Sequence, residues 1–257
     1  MTTTTRTTTP TRPAMTPMRK TALAAGVLYL LTFVTSIPAL GLYDDVLNNP
    51  DFVLGAGSDS GVLWGAFLEL FAGLTCIGTA VVLYRVIRRD RESAAIGFVA
   101  ARTLEAGMIF VGALSLLSVV TLRQDVAGTT GADPASLVTT ARSLVAVHDW
   151  TFLFGPGFLP VVNALCLATV LYRTRLVPRI IPMIGLIAAP ILFVSSTATL
   201  FGVHDQISST ALLGALPIAA WEFSLGVWLT FKGFKSAAVT EEPARSATPP
   251  AHDHVAA

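Results

Sequence analysis

Six runs of about 20 predominantly apolar residues divide this chain, and they leave it few ways to fold. They are Thr21 to Leu42, Gly61 to Tyr84, Ala94 to Leu122, His148 to Tyr172, Ile180 to Val203 and Ala211 to Phe231. Within hydrocarbon, backbone N–H and C=O groups find no water, so a spanning segment must pair them internally, and a helix does this within one run. Hydrophobic residues make up 53% of the chain and charged residues 13%, with a mean hydropathy of +0.67. That composition places the chain in a bilayer, its first expected partner. The expected fold is all-α, a bundle of six transmembrane helices.

The charges between the runs set an orientation. Arg6, Arg12, Arg19 and Lys20 precede the first span, Arg85, Arg88, Arg89 and Arg91 follow the second, Arg173, Arg175 and Arg179 the fourth, and Lys232, Lys235 and Arg245 the sixth. The alternate connections hold only Arg123 and Arg142, while Asp44, Asp45, Asp51 and Asp59 crowd the first of them. Basic loops stay in the cytoplasm, so both termini are expected there and the protein in a bacterial cytoplasmic (inner) membrane. The net charge is +1, which gives no global attraction for nucleic acid.

The first run follows Arg19 and Lys20 as a signal peptide would, but it is too long and lacks an A-x-A site, so a retained helix kinked near Pro38 is expected. The Thr-rich residues 1–17 and the Pro- and Ala-rich tail 236–257 are expected to be disordered, flanking a membrane domain over 18–235. Asp133 and Pro134 form an N-cap and first turn for a helix over Ala135 to Val147, which either lies at the outer interface or lengthens the fourth span. Two glycines and two prolines, Gly155, Pro156, Gly157 and Pro160, predict an interruption within that span.

Four ionisable residues fall inside the spans: Glu69, Arg102, Glu105 and Glu222. A charge at membrane depth is costly and marks a partnered or functional position. Helical rise puts Glu105 about 17 Å from the inner end of its span, Glu222 about 17 Å from the outer end of its own, and Glu69 about 12 Å from the outer end. Arg102 and Glu105 are three apart on one helical face and suit a local ion pair. Alternatively, Arg102 snorkels toward the cytoplasm and leaves Glu105 free. Three carboxylates exceed one guanidinium in either case, so the expected site is a polar interior that binds a cation or takes up protons. Gly73 and Gly226 follow Glu69 and Glu222 at i+4 and permit close helix approach there.

The outer ends of the fourth and fifth spans carry His148-Asp149 and His204-Asp205. Asp149 joins the candidate ligand-binding or proton-linked residues. The four together have ligand chemistry but no recognised metal spacing, so no metal site is expected from them. Cys76 and Cys166 lie in apolar runs and read as packing residues. No His-Glu-x-x-His, Gly-x-Ser-x-Gly, histidine cluster or Gly-rich phosphate loop occurs, so the common membrane hydrolase and oxidase layouts lack their residues and no cofactor is expected.

Five ordered blocks resemble a known family: Gly65 to Gly73 with Glu69; Ala101-Arg102-Thr103-Leu104-Glu105; Asp149-Trp150 with Gly155-Pro156-Gly157; Leu171 to Arg179; and Leu216 to Phe234. Over about Met18 to Phe234 the chain is similar to the bacterial membrane-protein family named domain of unknown function 4386. The resemblance implies a multi-pass membrane protein and no assigned activity. Two functions are therefore expected to compete. One is a transporter-like protein whose carboxylates bind a cation or whose interior takes a small lipophilic ligand. The other is a non-catalytic scaffold or sensor whose buried Glu and Arg residues serve helix packing.

Overall fold

The computed structural model describes residues 15–127, 131 and 133–235. Residues 1–14 and 236–257, expected to be disordered, lie outside that set. Thr16 and Pro17, also expected to be disordered, instead start the first helix. The Thr16 hydroxyl accepts the Arg19 N–H at 3.3 Å, and Pro17 takes a first-turn position where no N–H is needed. Helix α1 (Pro17–Leu42) runs on through Pro38. A short helix α2 (Asp44–Asn48) and a 3-10 turn at Phe52–Leu54 cross the distal end, away from the termini. Then follow α3 (Asp59–Ile87), α4 (Glu92–Val126), α5 (Pro134–Phe152), α6 (Leu159–Thr174), α7 (Ile180–Leu200) and α8 (Ser209–Phe231).

Among the described residues, six helical segments are long and apolar enough to cross a membrane, with α5 and α6 joined into one of 41 residues. The protein is therefore an all-helical, multi-pass membrane protein. Gly202, at φ 71°, belongs to the turn that ends α7 at Leu200, short of the expected Val203. The helix at Ala135 to Val147 lengthens the fourth span rather than lying flat at the interface. The expected interruption at Gly155-Pro156-Gly157 is not a break. Leu153–Phe158 form a wide π-helical turn, and the helix continues on both sides. Pro156 lacks the N–H that an α-helical ladder would use there, and the wider turn absorbs the missing bond. Within the turn the Gly157 carbonyl accepts the Ser196 hydroxyl of α7 at 2.9 Å.

Packing arranges the spans as a ring. Helix α3 lies between α1 and α4, α6 between α4 and α7, and α8 between α7 and α1, which closes the circle. In this order α4 and α8 face each other across the middle. Large apolar side chains such as Val34, Val81, Val194 and Leu213 point outward, and small residues such as Ala25, Ala80, Ala164 and Ala188 fill the inside, as expected where lipid already solvates bulky hydrocarbon. Helix α4, at 35 residues, is about 52 Å long and exceeds the roughly 30 Å hydrocarbon thickness. Its distal end carries Leu116, Val119 and Val120 into a second core with Tyr43, Val46, Phe52 and Ala141. Arg123 holds that cap together. It donates to the carbonyls of Gly55, Ala56 and Gly57 at 3.1, 2.9 and 3.0 Å and lies over the Phe52 ring.

The ring closes where α1 meets α8. Arg19 donates to the carbonyls of Leu229 and Thr230 at 2.8 and 2.7 Å, so a cation satisfies the C-terminal carbonyls of α8. Gly26 brings the two backbones together: a Cβ there would stand 2.5 Å from the Thr230 nitrogen and 2.7 Å from the Gly226 oxygen. Those atoms are backbone and cannot swing away. Gly26→Ala is therefore expected to cost about 1–3 kcal/mol, whereas Gly107→Ala, with nothing within 4 Å of its Cβ, should be tolerated. Reversible unfolding in detergent micelles would measure both.

Candidate functional site

Arg102 is three residues short of Glu105 on α4, so one helical face presents both to the ring interior. The guanidinium is 1% exposed, which rules out the snorkelling arrangement. Its Nη1 lies 3.2 Å from Glu105 Oε2, and its Nη2 lies 2.6 Å from Glu222 Oε1 of α8. The i,i+3 pair is present, but the shorter contact crosses the ring. With two carboxylates in reach Arg102 stays within the bundle, because leaving would strip both of their cation.

Other helices complete the cluster. Asn163 on α6 is fully buried and donates its Nδ2 to Glu105 Oε2 at 2.7 Å. Arg102 Nη1 also reaches Cys76 Sγ on α3 at 3.6 Å, so Cys76 has a polar contact besides its packing role. The guanidinium carbon sits 5.1 Å from the centroid of the Tyr29 ring on α1 and 5.9 Å from that of Phe98, favourable cation–π placements. Four of the six spans thus meet at one cation, and a fifth joins through Glu105. Arg102 Nε and Asn163 Oδ1 are buried there and find no hydrogen-bond partner among the described residues, leaving a donor and an acceptor unused in a place where each is costly.

Glu69 does not join this cluster; the single interior of three glutamates expected from the sequence is two sites. Glu69 Oε2 accepts the Tyr43 hydroxyl at 2.9 Å. Tyr43 is the residue on which α1 ends, and Gly65 makes room for its ring, since a Cβ there would lie 2.6 Å from Tyr43 Cε1. The Tyr43 ring meets the His148 ring edge to face at 5.7 Å between centroids. His148 is buried, and its Nδ1 stands 3.2 Å from Asp149 Oδ1, whose side chain is 54% exposed. His204, by contrast, makes polar contacts with Thr199 and Ser208 at the α7–α8 turn. Among the described residues no three His, Cys, Asp or Glu side chains gather as metal ligands, so the two His-Asp pairs do not combine.

The expected close approaches at the glycines are present. Gly73 faces the Phe110 ring, and Gly226 lies under Tyr29 and Leu30. Both glycines therefore let α4 and α1 reach the level of the carboxylates.

A family model described as Domain of unknown function (DUF4386) matches residues 24–233. The chain belongs to this family. No curated protein and no solved structure matches it. The DUF4386 match spans Tyr29 through Glu222, so both polar clusters fall wholly within the family region. Reasoning on sequence alone found the charged members of this DUF4386 protein's clusters and missed Tyr29, Tyr43 and Asn163. Asn163 carried a readable signal, as an amide at membrane depth. The Gly65–Glu69 spacing of four hinted that something bulky covers that face, but not which residue.

The arrangement predicts a specific energetic pattern. Arg102→Met leaves two carboxylates buried together without their cation and is expected to cost about 3–5 kcal/mol. Adding Glu105→Gln and Glu222→Gln to that variant should recover most of the loss, because the repulsion disappears with the charges. Unfolding free energies of the single, double and triple variants would show the coupling directly.

Proposed function

We propose that this DUF4386 protein is a proton-linked protein of the bacterial cytoplasmic membrane, with both termini in the cytoplasm and the Arg102–Glu105–Glu222 cluster as its working site. The observation that supports this reading is the charge count in a closed place. Two carboxylates contact a guanidinium that is 1% exposed, a formal excess of one negative charge. One proton, or one small monovalent cation, neutralises it. A proton on Glu222 converts its ion pair with Arg102 into a weaker, singly charged hydrogen bond. That change loosens α8 from α4 across the ring and biases the bundle between two arrangements, which is what a transporter-like protein requires. The unpartnered Arg102 Nε and Asn163 Oδ1 are groups a second arrangement would satisfy.

The orientation rests on the arginines and lysines concentrated at the end of the bundle where the termini lie. A lipophilic ligand has less support. An apolar lateral cavity of about 460 Å³ between α3 and α4 is lined by Leu63, Phe67, Leu70, Phe110, Leu114 and Leu117, but it is lined by none of the carboxylates, and bilayer acyl chains would fill it equally well.

The scaffold reading is favoured by one observation, the 2.6 Å contact of Arg102 with Glu222, which would fix helix packing without any exchange of charge. Hydrogen–deuterium exchange of the full chain in nanodiscs separates the two. If the cluster is proton-linked, acidification lowers the protection of α8, after correction for intrinsic exchange, and Glu222→Gln abolishes the response. In a scaffold, Glu222→Gln is silent at every pH and only Glu222→Leu destabilises, because a hydrogen bond rather than a charge is needed.

A further inference from the structure

The distal site has a layout that the central cluster does not use. A surface cavity of about 150 Å³ opens between the α2 region and α5 and is lined by Asn49, Arg142 and Asp149 among apolar residues such as Val46, Phe52 and Val145. Asp149 borders this cavity and also contacts His148 Nδ1 at 3.2 Å. His148 also lines a second, small pocket of about 10 Å³ that Glu69 lines too, with Met108, Gly112, Thr151 and Pro156 as further walls. That volume is about one water-sized sphere. Gly112 keeps it open, because a Cβ there would stand 2.9 Å from Thr151 Oγ1 and 3.3 Å from His148 Cδ2.

We infer that Asp149, His148 and Glu69 form a proton relay from the distal surface to a buried carboxylate. A proton from water in the surface cavity binds the Asp149 carboxylate and passes from Oδ1 to His148 Nδ1. The imidazole then releases the proton on Nε2 to one water molecule in the small pocket, and that water gives a proton to Glu69. The ring starts with its proton on Nε2 and ends with it on Nδ1, so in one pass only Glu69 gains a proton, and a second pass requires the ring to turn over so that an N–H again faces the pocket. Histidine suits the middle place, since its two nitrogens let it accept on one side and donate on the other. The Tyr43 hydroxyl donates to Glu69 throughout and holds the carboxylate toward the ring. The titratable and charged groups facing the path are Tyr43 from the end of α1, Glu69 from α3, and Arg142, His148 and Asp149 from α5; α4 contributes Met108, Ile109 and Gly112, which carry no charge. Nothing in this relay depends on whether the central cluster exchanges protons.

Time-resolved infrared spectroscopy of the full chain in nanodiscs, after a jump from alkaline to acidic pH, tests it. A carboxylic-acid C=O band should rise in the native protein and be missing in Glu69→Gln. Its final amplitude should persist in His148→Phe and Asp149→Asn while its rise slows by about tenfold or more. A Glu69 band that rises at the native rate in both variants would overturn the relay, as would the absence of any band that depends on Glu69. Should His148→Phe fail to fold, Asp149→Asn alters only a half-exposed side chain and decides the matter alone. Bands that vanish in Glu105→Gln or Glu222→Gln report the central cluster separately, so either site can fail without the other.

Discussion

A guanidinium that cannot reach water has to be solvated by the protein around it, and much of the bundle is organised to do so. Arg102 draws Glu105 from its own helix, Glu222 from the opposite side of the ring, the Tyr29 ring from α1 and the Cys76 sulfur from α3. Apolar packing in a bilayer discriminates poorly between rotations of a helix, because lipid and leucine are nearly equivalent neighbours. The cation supplies the missing specificity. Rotating α4 or α8 by a quarter turn would leave a charge facing hydrocarbon, so the register of both helices follows from one side chain.

The same logic explains the distribution of small residues. Arg102 can be reached from several helices only if their backbones come close, and Gly73 and Gly226 allow this where Phe110 and Tyr29 pack over them. At the distal end the constraint differs. There α4 and α5 project beyond the length a bilayer needs, and their apolar faces find each other and the Phe52 turn instead of lipid. Glu69 sits between these regimes, bound to Tyr43 under the distal cap and separate from the central cation.

The spans were legible in the sequence because length and apolarity are one-dimensional properties; all six runs are helical, and they depart from expectation at their ends and at the turn within the fourth. The π-turn was not legible as such. Gly155-Pro156-Gly157 announces disturbed hydrogen bonding, but whether the helix breaks or widens also depends on what packs against the turn, and Ser196, which bonds the Gly157 carbonyl, comes from another helix. Membrane depth could be counted along each run, which singled out the four charged residues. Their partnering could not, because it depends on the order of helices around the ring. Counting depth alone merged Glu69 with Glu105 and Glu222, although Glu69 turns toward Tyr43 and His148. The snorkelling alternative for Arg102 was reasonable for an isolated helix and fails once Glu222 is opposite.

The clasp between Arg19 and the carbonyls of Leu229 and Thr230 joins α1 to α8 across more than 200 residues of sequence. Glu222, the closest counter-ion of Arg102, lies on that same α8. Until α8 enters the membrane the preceding helices hold an arginine with only its local carboxylate, and the ring stays open on the side where α8 belongs. Insertion of α8 is therefore also the step at which Arg102 gains its second carboxylate and the ring closes, so electrostatics and assembly of the bundle are tied to one helix.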